Sequence, residues 1–133
     1  MLTSTPRALQ ERFLEKFLAQ DIEGLLALYE RNAVFVASAE QVVVGLDAIR
    51  EQLTGLLTAA SKSFVLNPTV AFEVDGVALM HADWALEGTG PDGSALSLSG
   101  TTVEVARRGA DGEWRYVVDS PIGIAEEALS RHL

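Results

Sequence analysis

The stretch WRYVVDSP (residues 114–121) closes a strand pattern on a carboxylate, Asp119. An acid at that point either caps a surface turn or forms the floor of a pocket. We read it as the pocket. A carboxylate held in a dry pocket exchanges protons near neutral pH, because burial raises its pKa. Several other chemistries are missing. The chain has no cysteine, which excludes thiolate nucleophiles, disulfides and thiolate-held metals. Its two histidines, His81 and His132, are remote from each other and no HExxH pattern occurs, so no metal is expected. GTGPDG (88–93) lies between two strand patterns with no helix after it, so it is not a phosphate loop. No GxSxG elbow is present.

The elements that must position Asp119 follow from periodicity. Residues 6–20 read as a helix capped by Thr5 with Pro6 in its first turn, and Leu9, Phe13 and Phe17 share one stripe. Asp21 caps a second helix, IEGLLALYER, which buries Leu25, Leu26 and Tyr29 and ends at Asn32. AVFVAS (33–38) and QVVV (41–44) are short strands, and LDAIREQLTGLLTAA is a third helix. Gly55 inside it costs up to about 1 kcal/mol, with close packing as the expected reason. The rest is β. FVLNPTVAFEVD (64–75) contains Pro68 and is expected to carry an edge or a bulge. Asp75-Gly76 turns it into VALMHADWALEG (77–88). A long strand over 95–108, bulged at Gly100, leads through GADG to EWRYVVDS, and the tail IAEEALSRHL reads as a short helix. Helices first and then an antiparallel meander give an α+β fold with the helices on one sheet face.

With 133 residues, the chain fits a single domain over 1–133 and can bury a sizeable core. Its 19 acids against 10 Lys and Arg give a net charge of -9, which argues against nucleic acid and anionic membranes as partners. The start lacks a signal-peptide pattern and no apolar run reaches membrane-spanning length, so a cytoplasmic location is expected.

LLALYERNAVFV, GLDAIREQL, ADWALEG and DGEWRYVVDSP, in that order, resemble the NTF2-like superfamily in its SnoaL-like, ketosteroid-isomerase-like branch. The resemblance runs from about Ala8 to Pro121. It implies a cystatin-like cone, a curved antiparallel sheet wrapped around about three helices, with an apolar pocket inside and usually a dimer. The ketosteroid isomerases themselves use a carboxylate base, a Tyr and a protonated Asp. The corresponding positions here fall near Ala37 or Ser38, Phe13 and Thr101, so that activity is not expected. A weaker similarity is to limonene-epoxide-hydrolase-like enzymes. Their Arg-x-Asp pair matches His81-Ala82-Asp83, and their late acid matches Asp119. Residues two apart on a strand share a face, about 7 Å apart. The resemblance therefore implies catalytic His81, Asp83 and Asp119 converging in the cone.

Phe13, Phe17, Phe35 and Tyr29 are the expected pocket wall, with Val117 on the Asp119 side of its strand. Met80, Ala82, Trp84 and Leu86, with Trp114, Tyr116 and Val118, then fall on the convex face, where they imply a homodimer. Two functions fit. One is a cofactor-free acid–base enzyme, of isomerase, cyclase, dehydratase or hydrolase type, acting on a small apolar molecule. The other is a non-catalytic ligand-binding or dimeric accessory protein. Epoxide hydrolysis is less well provided for, because Phe35 and Ala37 stand where a water would need hydrogen-bonding side chains.

Overall fold

The computed structural model describes residues 3–123, so the expected tail helix and His132 lie outside the described residues. Helix α1 (Pro6–Leu18) starts as anticipated, with the Thr5 side chain accepting from the Ala8 N–H. Helix α2 (Ile22–Leu26) is capped by Asp21, which accepts from the Gly24 N–H at 2.9 Å. It is much shorter than its sequence pattern. Strand β1 (Tyr29–Val36) takes over the residues YER that the helical period had claimed. The cause is tertiary: the Tyr116 N–H donates to the Leu28 carbonyl at 2.8 Å, and Tyr29 pairs with Tyr116. Such pairing overrides local helix propensity. Strand β2 (Val42–Val44) and helix α3 (Leu46–Ala59) follow. Gly55 of α3 faces open space, and nothing in the structure explains it.

The remaining strands are β3 (Ser63–Val74), β4 (Val77–Thr89), β5 (Ala95–Thr101), β6 (Val103–Arg108) and β7 (Trp114–Ser120). They join β1 and β2 in one sheet of order β2-β1-β7-β6-β4-β3, with β5 on the second half of β4. The pairs are antiparallel except β1–β7, which is parallel. Pro68 sits on edge strand β3 beside a register shift, as proline requires. Asp75 and Gly76, both at positive φ, make the β3–β4 turn. The long strand anticipated over 95–108 breaks at Thr102, where pairing with β4 passes from β5 to β6.

Two features decide which side chains enter the cone. On β4, Ala78, Met80, Ala82, Trp84 and Leu86 are buried, whereas His81 and Asp83 lie on the other face. This reverses the expected orientation: the apolar set follows the core and the polar set follows solvent, as a period-2 strand demands. On β7, Ala106 pairs with Tyr116 and Val105 with Val118, leaving Val117 as an extra residue. This bulge places Tyr116 and Asp119, three apart, on one buried face. Trp114 and Tyr116 are therefore core rather than convex surface. Together with Leu9, Phe17, Leu25, Ile49 and Leu53 from the helices, Met80, Ala106, Trp114 and Tyr116 form the core. Each large side chain contributes roughly 1.5–3 kcal/mol by leaving water.

The outer face carries a different apolar row. Phe72, Leu79, Val105, Val118, Val34 and Val44 are successive cross-strand partners along β3-β4-β6-β7-β1-β2. Phe72 is 67% exposed, Val44 61% and Leu79 42%. Where α3 ends, the chain meets β4 closely. A Cβ on Gly88 would stand 1.8 Å from the Ala59 carbonyl oxygen, so only glycine fits there.

Candidate active site

Asp119 of β7 lies directly opposite Glu104 of β6. Both are 4% exposed. Carboxyl groups facing each other across a ladder repel when both are charged. Each is therefore held by donors. The Tyr29 hydroxyl donates to Asp119 Oδ2 at 2.5 Å. Gln10 of α1 donates through Nε2 to Glu104 Oε1 at 3.0 Å and to the His81 carbonyl at 3.2 Å. Thr102 Oγ1 accepts from the Ala82 N–H at 2.9 Å, and its side chain also hydrogen-bonds Glu104. The hydroxyl of Tyr116 and the Oε1 of Gln10 are buried without a hydrogen-bond partner among the described residues.

Burial pushes the Glu104 carboxyl up to about 8, helped by the charge of Asp119 and opposed by the hydrogen bonds from Gln10 and Thr102. Burial pushes Asp119 up to about 6, opposed by the bond from Tyr29. Burial, with Asp119 beside it, holds Tyr29 well above an ordinary phenol, so it stays a donor. The two carboxyls titrate as a pair, and between these values the pair keeps one proton. Tyr29→Phe is expected to raise the Asp119 pKa further, because the one side-chain donor to that carboxylate among the described residues is lost. It should also cost about 1–3 kcal/mol of stability from the unsatisfied acceptor. Carboxyl NMR titration and thermal melts check both.

Above the pair is a narrow cavity of about 30 Å³. About 10–15 Å³ holds one water, so this space takes roughly two. Its walls are Phe13 and Phe17 of α1, Phe35 of β1, Phe64 of β3 and Trp84 of β4, with Leu53 and Leu56 of α3. Thr102, Glu104 and Asp119 supply its polar patch, and among the described residues no basic side chain lines it. Among the described residues, no three His, Cys, Asp or Glu side chains are grouped to hold a metal.

The anticipated residues divide clearly. Asp119, Phe13, Phe17 and Phe35 line the cavity, and Tyr29 reaches it through its bond to Asp119. His81 and Asp83 do not converge with Asp119. The His81 ring meets the Thr102 carbonyl at 2.7 Å through Nδ1, and exposed Asp83 accepts from Thr101 Oγ1 at 2.8 Å. Val117 lines a shallow surface depression with Glu30, Arg107 and Arg115, because the bulge turns it away from Asp119. Glu104 was missed. Its signal was the alternation of VEVA (103–106), where one acid shares a face with a small residue and the valines take the other.

The fold has close relatives among solved structures. A ketosteroid isomerase-like protein from Erwinia carotovora atroseptica superposes with a TM-score of 0.75 at 16% identity, covering 86% of this chain and 89% of that one. A conserved protein from Planctomyces limnophilus gives 0.74 at 20% identity, covering 86% and 89%. A candidate dehydratase of the NTF2-like family from Streptomyces avermitilis gives 0.67 at 17% identity, covering 86% and 91%. At these identities the likeness establishes the fold alone. No curated protein matches the chain. No helix among the described residues is long and apolar enough to cross a membrane. The SnoaL-like domain family matches residues 10–117, the greater part of the sequence. With its α+β architecture and these relatives, the chain belongs to the SnoaL-like domain family, within the NTF2-like fold.

Proposed function

We propose that the protein binds a small apolar carbonyl compound in the cone and moves a proton on it without a cofactor. The observation that carries this reading is the Glu104–Asp119 pair, opposed across the ladder and buried at the polar end of an aromatic cavity. Asp119, ionised and held by Tyr29, takes a proton from the carbon next to the carbonyl. The C–H electron pair becomes the enol double bond, and Glu104 gives its proton to the carbonyl oxygen. Return of protons to either carbon completes an isomerisation or an exchange. The likeness to a ketosteroid isomerase-like protein and to a candidate dehydratase is consistent with such chemistry. The test uses simple ketones, such as cyclohex-2-enone and acetophenone, in D2O. Deuterium entering the α-carbon faster with protein than with buffer supports the reading, and no excess over buffer removes it. Binding without exchange would leave a ligand carrier.

The outer apolar row supports a homodimer through the convex face, on a set of residues that shares only Val118 with the one first expected. A continuous apolar strip of this kind on a chain of charge -9 is best covered by a second copy. Leu79→Arg should convert a dimer at micromolar concentration into a monomer in sedimentation experiments. A wild-type monomer would contradict the proposal.

A further inference from the structure

The inner cavity has a neighbour. A second hollow of about 210 Å³ opens where α1 and α3 end, lined by Gln20, Ser61, Lys62 and Ser63 among others. The two spaces share two walls, Phe17 and Phe64. The rings of these residues lie 4.0 Å apart between centroids at 33°, so they form the partition. Phe64 is only partly buried and belongs to edge strand β3. The hollow itself is firmly built. The Lys62 N–H donates to the Glu87 carbonyl at 2.9 Å, and the preceding turn is seated on Gly88. The chemistry of the two ends is opposite. Among the described residues, the inner end has two acids and no base, whereas the outer end has one lysine, two serines and no acid. The Lys62 ammonium has no salt-bridge partner among the described residues.

We propose that the ligand is elongated, with an uncharged apolar head in the inner cavity, a chain passing between Phe17 and Phe64, and a carboxylate at Lys62. The proposal rests on the reading of the inner cavity as the ligand site. Its physical basis is charge. An anionic head would meet the acid pair in a dry space and be rejected, while the same anion at the mouth is attracted by an unpaired ammonium. The Phe17–Phe64 pair then sets the length of the connecting chain and gives the inner site access to more volume than it has when closed.

A series of ω-phenylalkanoic acids and the matching alcohols tests this, with the emission of Trp84 as the reporter, since its ring lines the inner cavity. Trp84→Phe identifies which part of the signal comes from that ring. The acids are expected to bind with an optimum chain length. Lys62→Glu should weaken them about fivefold or more while leaving the alcohols nearly unchanged, as should high salt. Phe64→Trp should weaken both classes by blocking the passage, and Phe64→Leu should shift the optimum length. Lys62 is exposed, so its variant should fold normally, and a thermal melt confirms that. Three outcomes overturn the proposal: no response to the acids up to millimolar concentration, equal losses for acids and alcohols in Lys62→Glu, or toluene binding as tightly as the tailed compounds. Lys62-dependent binding without α-deuterium exchange would retain this ligand class and remove the catalytic reading. Exchange on small ketones with no tail selectivity would do the reverse.

Discussion

Glu104→Gln is expected to make the protein more stable than wild type at pH 8. Glutamine keeps the shape of the side chain and its acceptor for Gln10, but it carries no charge to bury beside Asp119. The sign follows from linkage. Glu104 is pushed up from an ordinary value of 4.5 to about 8 in the folded protein. Between those values the folded state binds a proton that the unfolded state has released. Wild-type stability therefore falls as pH rises from about 4.5 through about 8. Asp119 adds a smaller fall between 3.8 and about 6. Each pH unit over which only the folded state keeps the proton costs about 1.4 kcal/mol. Over the two groups the fall is a large fraction of the stability of a domain this size. Melting temperatures at pH 5, 6.5 and 8 should therefore diverge, with the variant nearly flat above pH 6 and the wild type declining. Parallel curves would mean that Glu104 is ionised at neutral pH without penalty.

The second large effect concerns turnover. Asp119→Asn should reduce α-deuterium exchange by about 10²–10⁴-fold, the usual contribution of a positioned base. Asn keeps an oxygen for Tyr29 and so preserves the local geometry. Glu104→Gln should cause a smaller loss, because an amide N–H still donates to the carbonyl oxygen but cannot give up its proton. The pH profile separates these roles. Wild-type exchange should rise as the pair loses its first proton near 6 and fall as it loses the second near 8. The alkaline fall should disappear in Glu104→Gln, whose donor does not titrate. A folded variant with unchanged exchange would remove that residue from the proposed chemistry.

Much of this architecture was legible in the chain. The caps at Thr5 and Asp21, the proline on the edge strand and the Asp75-Gly76 turn are local signals, and local chemistry fixes them. Asp119 was legible because an acid after VV and before a proline stands out against its strand. What failed was the assignment of faces. His81 and Asp83 were placed inward by comparison with a distant enzyme group, against the plain alternation of Ala78, Met80, Ala82 and Trp84. A strand shifted by one residue reverses every side chain. The bulge at Val117 could not be read in advance, since it depends on pairing with both β6 and β1. Tyr29 was expected in a helix and in the pocket wall. The helix is a strand, but the hydroxyl does meet Asp119. Glu104 went unread because VEVARR looks like an ordinary surface strand until β7 places Asp119 opposite it.

The most direct measurement is a carbon-13 NMR titration of the side-chain carboxyls, in wild type and in Glu104→Gln. The buried pair should show one step near pH 6 and another near pH 8. The upper step should vanish in the variant, and the lower should stay near pH 6, because Glu104 is still uncharged at that pH and so is glutamine. Both carboxyls fully ionised by pH 5, with no signal titrating at neutral pH, would contradict the shared proton on which the proposed chemistry depends.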